Sequence, residues 1–213
     1  MWRRLLPLSC PSCSARCASW CAVCSPNFAP ATDQSIPPEL DALWCRFAYD
    51  GAVKNLVLAA KATSAHGWLG AMAGALRGPG EVVGPSSCVV TWPTGSDAHR
   101  RMRGYDPAER LARSYGRVHG LRVVELLDRH GGPQEGLSAQ GRASLRFVAN
   151  RRRAGETVFV IDDVVTTGVT MSRAASALRD AGARTVVGVC FARRERVGSA
   201  GRESARSEAR TGQ

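Results

Sequence analysis

From residue 43 onward, apolar positions recur in two patterns: short unbroken runs, and stripes at i, i+3, i+4, i+7. Residues 43–49 read as a first strand. Val53, Leu56, Val57 and Ala60 predict one helix, and Leu69, Met72, Ala73 and Leu76 a second, because residues at that spacing share a helical face. Residues 87–92 read as a buried strand. Asp106-Pro107-Ala108-Glu109 has the form of an N-cap, a first-turn proline and a capping-box acid, and Ala108, Leu111, Ala112 and Tyr115 continue it as a helix. Residues 121–127 are a strand candidate, 130–136 a loop and 157–161 a short β-branched strand. Met171, Ala174, Ala175 and Leu178 mark a helix closed by Gly182, and 185–191 a last strand. This alternation predicts an α/β fold, a mostly parallel sheet flanked by helices.

The chain before residue 43 has a different character. Arg3 and Arg4 precede a short apolar stretch that is interrupted by Pro7 and lacks a small-residue cleavage site, so it does not read as a signal peptide. Five of the eight cysteines fall between Cys10 and Cys24, and Pro26, Pro30, Pro37 and Pro38 mark an irregular linker. The expected organisation is a cysteine knuckle over 1–25, a linker over 26–42, the α/β domain over 43–193 and a disordered basic tail over 194–213.

The chain has 213 residues, 44% of them hydrophobic and 22% charged, which suits a globular domain with its own core. No apolar run approaches the roughly 18–20 residues that span a bilayer, so no membrane insertion and a cytoplasmic location are expected. The net charge of +11 points to anionic partners, and only Lys54 and Lys61 among the 29 basic residues are lysines. Arginine suits bidentate phosphate contacts; a GC-rich genome would supply the same bias.

The segment with the sharpest chemistry runs from Val158 through Ile161, Asp162, Asp163, Val164, Val165, Thr166, Thr167, Gly168, Val169 and Thr170. A buried strand ends in two carboxylates, and a Thr-Thr-Gly turn leads into a helix. Backbone N–H groups of such a turn favour a phosphate, and adjacent acids beside it suit a sugar diol or a divalent cation. Together they describe a ribose 5-phosphate site; the blander reading is a pair of capping acids and a polar loop. Between the strand ending near Trp92 and the helix near Asp106, Arg100, Arg101 and Arg103 lie in a long loop and could clamp a pyrophosphate.

Cys10-Pro11-Ser12-Cys13 and Cys21-Ala22-Val23-Cys24 are two CxxC pairs seven residues apart. Four thiolates complete a tetrahedral Zn²⁺ site, here a structural one; Cys17 is a fifth candidate, and disulfides are the competing reading. Cys45, Cys88 and Cys190 have apolar surroundings and read as core residues.

The Val158–Thr170 stretch resembles the phosphoribosyl pyrophosphate motif of type I phosphoribosyltransferases. The resemblance implies that Asp162 and Asp163 are the catalytic acids, contacting the ribose hydroxyls directly or through Mg²⁺. It implies that Thr166, Thr167, Gly168, Val169 and Thr170 hold the 5-phosphate, with Val164 also among the residues that bind phosphoribosyl pyrophosphate. A four-cysteine knuckle, a linker and such a domain together resemble the ComF (GntX, competence protein F) family. Tyr49-Asp50-Gly51 with Leu56, Val57 and Lys61, Pro93 through Arg103-Gly104-Tyr105, and Gln134, Leu137 and Arg142 carry the same resemblance. The chain departs from it at Asp106-Pro107, where Asn and Gln are usual, and at Leu145, where an Asn is expected; both bear on the acceptor side.

Two functions follow. The fold implies transfer of a phosphoribosyl group from phosphoribosyl pyrophosphate, with Mg²⁺, to an unknown acceptor. The family implies a role in DNA uptake during natural transformation, beside a helicase-like partner, in which a non-catalytic chain binds single-stranded DNA or acts as an adaptor. A third reading is a sensor that binds phosphoribosyl pyrophosphate without turning it over.

Overall fold

The computed structural model describes residues 8–17, 20–62, 66–78, 88–95, 100–102, 104–130, 146–152 and 155–195. In chain order the elements are β1 (Leu8–Ser9), β2 (Arg16–Cys17), β3 (Ala42–Ala48), α1 (Gly51–Ala60), α2 (His66–Ala75), β4 (Cys88–Thr91) and α3 (Pro107–His119). They continue with β5 (Arg122–Val123), β6 (Leu127–His130), β7 (Arg146–Ala149), β8 (Thr157–Val165), α4 (Val169–Asp180) and β9 (Thr185–Arg193).

Five strands form one sheet in the order β3-β9-β8-β4-β5, every neighbouring pair parallel. The two central strands are nearly continuous apolar runs because both of their faces are covered. Strand alternation divides the core in two. Phe159, Ile161, Val187 and Val189 pack with Val53, Leu56 and Val57 of α1, Leu69 and Met72 of α2, and Leu111 and Tyr115 of α3. Val158, Val160 and Val186 pack on the other side with Met171, Ala174, Ala175 and Leu178 of α4. These are the apolar stripes legible in the sequence, and the mostly parallel, helix-flanked sheet is as expected.

The N-terminal knuckle, with β1 and β2 antiparallel, joins the first of these cores through aromatic rings. Trp20 stacks on Phe191 at 5.9 Å with 3° between the planes, and meets Phe28 edge-on at 6.0 Å. The segment after it is fastened to the end of β9. The buried Arg193 guanidinium pairs with Asp33 at 3.0 Å and donates to the Ser35 carbonyl at 2.7 Å. Glu195 accepts hydrogen bonds from the backbone N–H groups of Thr32 and Asp33.

Four local expectations are corrected. The strand predicted over 157–161 runs on to Val165, because β9 keeps pairing with it as far as Val165↔Arg193. The strand predicted over 121–127 is split. Only Arg122–Val123 joins the sheet, and the chain then turns, with Leu126 N–H donating to Thr91 Oγ1, into the separate antiparallel ribbon β6–β7. His130 therefore ends a strand, and the rest of the 130–136 loop lies outside the described residues. Asp106 does cap α3, its Oδ1 accepting from Ala108 and Glu109 N–H. Glu109 does not complete a capping box; its carboxylate takes the Arg113 guanidinium one turn on, at 2.8 Å, a neighbouring charge on the same helical face.

Candidate functional site

The carboxyl ends of parallel strands are where open α/β sheets bind ligands, and β8 carries its acids there. Asp163 has the strand parity of Phe159 and Ile161, the face covered by α1. That parity delivers its nearly buried carboxylate to Lys61, the C-cap of α1, with Nζ to Oδ1 at 2.9 Å. Asp162 lies in register with Cys190, and its Oδ1 accepts the Asp163 backbone N–H at 2.8 Å.

Burial pushes the Asp162 carboxyl up to about 8, and the charge of Asp163 adds to it. The Asp163 N–H and the Lys61 ammonium act in the opposite direction. For Lys61, burial opposes the charged form, yet the Asp163 carboxylate, with Asp162 and Tyr49 beyond it, holds its pKa above the ordinary 10.5. The site thus contains a firmly charged ammonium and two carboxyl groups in unequal environments.

Past the strand, Thr166 and Thr167 are exposed, and Gly168 takes φ 80° at the N-cap of α4. A side chain added at Gly168 would be strained and would meet Pro37 Cγ at 2.6 Å, so glycine is needed for this turn. No side chain caps α4, and its first N–H groups are placed to meet an anion. Thr170 lines the cleft with Asp162 and Asp163, whereas Val164, partly buried, packs against the core on the α1 side.

The opposite wall comes from the loop after β4. Thr94 donates through Oγ1 to the Leu127 carbonyl, and Gly95 N–H donates to Asp106 Oδ2 at 2.8 Å, so the cap of α3 also holds this loop. Tyr105 places its hydroxyl 3.1 Å from the carbonyls of both Ala60 and Ala62. The Arg110 guanidinium covers the Tyr105 ring at 4.5 Å. The cleft so formed is open to solvent and has a cavity volume of about 180 Å³, smaller than a drug-sized small-molecule site of roughly 300–1,000 Å³.

Of the three loop arginines, Arg100 lines this cleft and Arg101 lines an adjoining groove with Gly104 and Glu109. Arg103 lies outside the described residues. Lys61, Thr94, Asp106 and Arg129 also line the cleft, and none was assigned to the site from sequence. For Lys61 there was a signal: it is one of two lysines in a chain whose positive charge is otherwise arginine. Arg129 gave none, since nothing in the sequence shows β6 leaving the main sheet.

In the knuckle, the sulfurs of Cys10, Cys13, Cys21 and Cys24 all lie within 4.8 Å of one another and could hold a metal ion. Cys17, paired with Leu8 across β1–β2, is not among the four. The backbone N–H of Cys24 leads in drawing the Cys21 thiol down to about 7, while contact with Cys13, then burial, pushes Cys24 up to about 12. The cluster therefore supports at least one thiolate readily and resists several without a cation.

Residues 102–205 match the phosphoribosyl transferase domain. No curated protein matches the chain. Among solved structures, it is similar to glutamine phosphoribosylpyrophosphate amidotransferase from B. subtilis, at 22% identity and a TM-score of 0.36, over 61% of this chain and 25% of that one. It is similar to phosphoribosylpyrophosphate synthetase from Mycobacterium smegmatis at 23% identity and 0.29, over 48% and 28%. It is similar to a hypoxanthine phosphoribosyltransferase from Staphylococcus aureus at 14% and 0.35, over 66% and 64%. The chain spans about a quarter of the length of the first solved chains it resembles. The parallel, helix-flanked sheet with its acids at the end of β8 is thus similar to a phosphoribosyl transferase domain over residues 102–205, and it carries an N-terminal four-cysteine cluster.

Proposed function

We propose that this chain binds phosphoribosyl pyrophosphate in the cleft at the end of β8 and transfers its phosphoribosyl group to an acceptor. The observation that carries the reading is the joining, in one cleft, of Asp162 and Asp163 with Thr170 of the uncapped α4 turn and the cations Lys61, Arg100 and Arg129. The α4 N–H groups and the threonine hydroxyls would hold the 5-phosphate, the carboxylates the ribose hydroxyls, and Arg100 the pyrophosphate. In the reaction an acceptor nucleophile forms a bond to the anomeric carbon, and the carbon–oxygen bond to pyrophosphate breaks. Positive charge develops on the sugar as it does so, and the carboxylates stabilise it.

Mg²⁺ fits this cleft in a limited way. Asp163 already holds a cation, the Lys61 ammonium, and Mg²⁺ usually completes its shell with substrate phosphates and water rather than a protein cage. Asp162 and Asp163 would hold it, and it would supply charge neutralisation at the leaving pyrophosphate. Zn²⁺ fits the knuckle better. Tetrahedral thiolate ligation places sulfurs about 3.8 Å apart, and Cys10–Cys24 and Cys13–Cys21 stand at 3.8 and 3.5 Å. Ser12 N–H reaches Cys10 Sγ at 3.5 Å, a donor that would steady a thiolate. This pairing of knuckle and domain supports the ComF reading.

The test is calorimetric titration of the metal-loaded chain with phosphoribosyl pyrophosphate and Mg²⁺, beside an Asp162→Asn, Asp163→Asn double variant. Binding by the wild type, lost in the variant, is expected. A folded wild type that fails to bind, or a variant that binds equally well, overturns the proposal. Binding of single-stranded DNA that weakens steeply with salt, in place of the sugar phosphate, would favour the DNA-uptake adaptor; the net charge of +11 and the exposed Arg101 support that second reading.

A further inference from the structure

Lys61 sits where a ligand would have to displace it. Its ammonium lies 2.9 Å from Asp163 Oδ1 at the wall of the cleft, with the lysine side chain 31% exposed and that of Asp163 9%. The turn that carries it is held on both sides, since the Tyr105 hydroxyl meets the carbonyls of Ala60 and Ala62, the residues flanking Lys61. Its own N–H continues the α1 ladder to the Val57 carbonyl. The backbone is therefore pinned while a four-carbon stem leaves the ammonium able to swing.

Two cations cannot both neutralise one carboxylate at full strength. An ammonium at hydrogen-bond distance fills one oxygen of Asp163 and repels a divalent ion at the other. A polyanion entering the cleft changes the balance, because phosphate oxygens offer the ammonium a second partner.

We infer that Lys61 is an exchangeable counter-ion of Asp163: it occupies the carboxylate in the empty cleft, excludes a divalent cation there, and yields the position when an anionic ligand draws its ammonium away. The inference rests on the phosphoribosyl reading for the identity of the ligand. Its first half, the competition between Lys61 and a divalent cation, stands on the ion pair alone. The consequence is that cation and sugar phosphate enter together, each tightening the other, as reciprocal linkage requires.

Mn²⁺ is the probe, read by its electron paramagnetic resonance in the wild type and in Lys61→Met, Lys61→Gln and Lys61→Arg. Both neutral variants should bind Mn²⁺ more tightly than the wild type, by about tenfold or more at this contact distance. Lys61→Arg keeps the charge and should stay near the wild type, and adding Asp163→Asn to Lys61→Met should abolish the gain. Equal Mn²⁺ affinity in the wild type and the neutral variants overturns the inference.

If neither neutral variant folds, the wild type decides alone. Ribose 5-phosphate, or inorganic phosphate in its place, should tighten Mn²⁺ binding severalfold, and no tightening overturns the inference. A wild type that ignores phosphoribosyl pyrophosphate while the neutral variants gain Mn²⁺ would remove the phosphoribosyl reading and leave the counter-ion role standing.

Discussion

Asp162→Asn should stabilise this protein, and the gain should depend on pH. Burial, with the charge of Asp163 beside it, lifts the Asp162 carboxyl to about 8, against an ordinary value of 3.8. Between those values the folded chain holds a proton that the unfolded chain releases, so the wild type loses stability as pH rises. The contribution is fully present below 3.8, is lost progressively up to about 8, and is level above that. One proton corresponds to about 1.4 kcal/mol per pH unit, or about 2.7 kcal/mol between pH 5 and 7. Asparagine has the same shape and can still accept the Asp163 N–H, and it has no proton to lose. Other titrating groups are common to both proteins and cancel in the difference, except Asp163 and Lys61, whose interaction with Asp162 the substitution also removes.

The assay is urea unfolding of both metal-loaded proteins at several pH values from about 5 to 9, taking the difference in unfolding free energy at each. The advantage of the variant should widen by about 2–3 kcal/mol from pH 5 to 7 and stop widening above about pH 8. A difference that is flat over that range, or that favours the wild type increasingly as pH rises, would refute the reasoning.

Gly168→Ala forces a positive φ on a residue with a side chain and drives Cβ against Pro37. It should cost about 1–3 kcal/mol in urea unfolding and weaken sugar-phosphate binding, and an unchanged midpoint would mean that the turn relaxes freely. Removing metal with a chelator, or replacing Cys13 by serine, should abolish the thiolate-to-cobalt absorption of a Co²⁺-substituted sample. It should also shift tryptophan emission to the red as Trp20 leaves Phe191; a fluorescence spectrum indifferent to metal would show that the knuckle docks without it.

Much of the fold was written in periodicities. The stripes at Val53–Ala60, Leu69–Leu76, Ala108–Tyr115 and Met171–Leu178 each became the buried face of a helix, and the apolar runs became parallel strands. This works because burial on one helical face or on both faces of a strand is a local constraint, stated in neighbouring residues. The acids of β8, the Thr-Thr-Gly turn and the paired cysteines were legible for the same reason. Each motif is contiguous, or repeats within a few residues.

What only the tertiary structure decided concerns partners distant in sequence. Strand β8 runs to Val165 because β9 pairs with it there, and β6 leaves the sheet to meet β7. Asp163 meets Lys61 across 102 residues of chain, and Asp106, visible as a helix cap, also holds the loop at Gly95. Arg129 enters the cleft only because β6 turns away from the sheet. Periodicity specifies which side of an element is buried, whereas the charge balance of a site depends on which elements meet, and that is settled when the sheet closes and the helices dock on it.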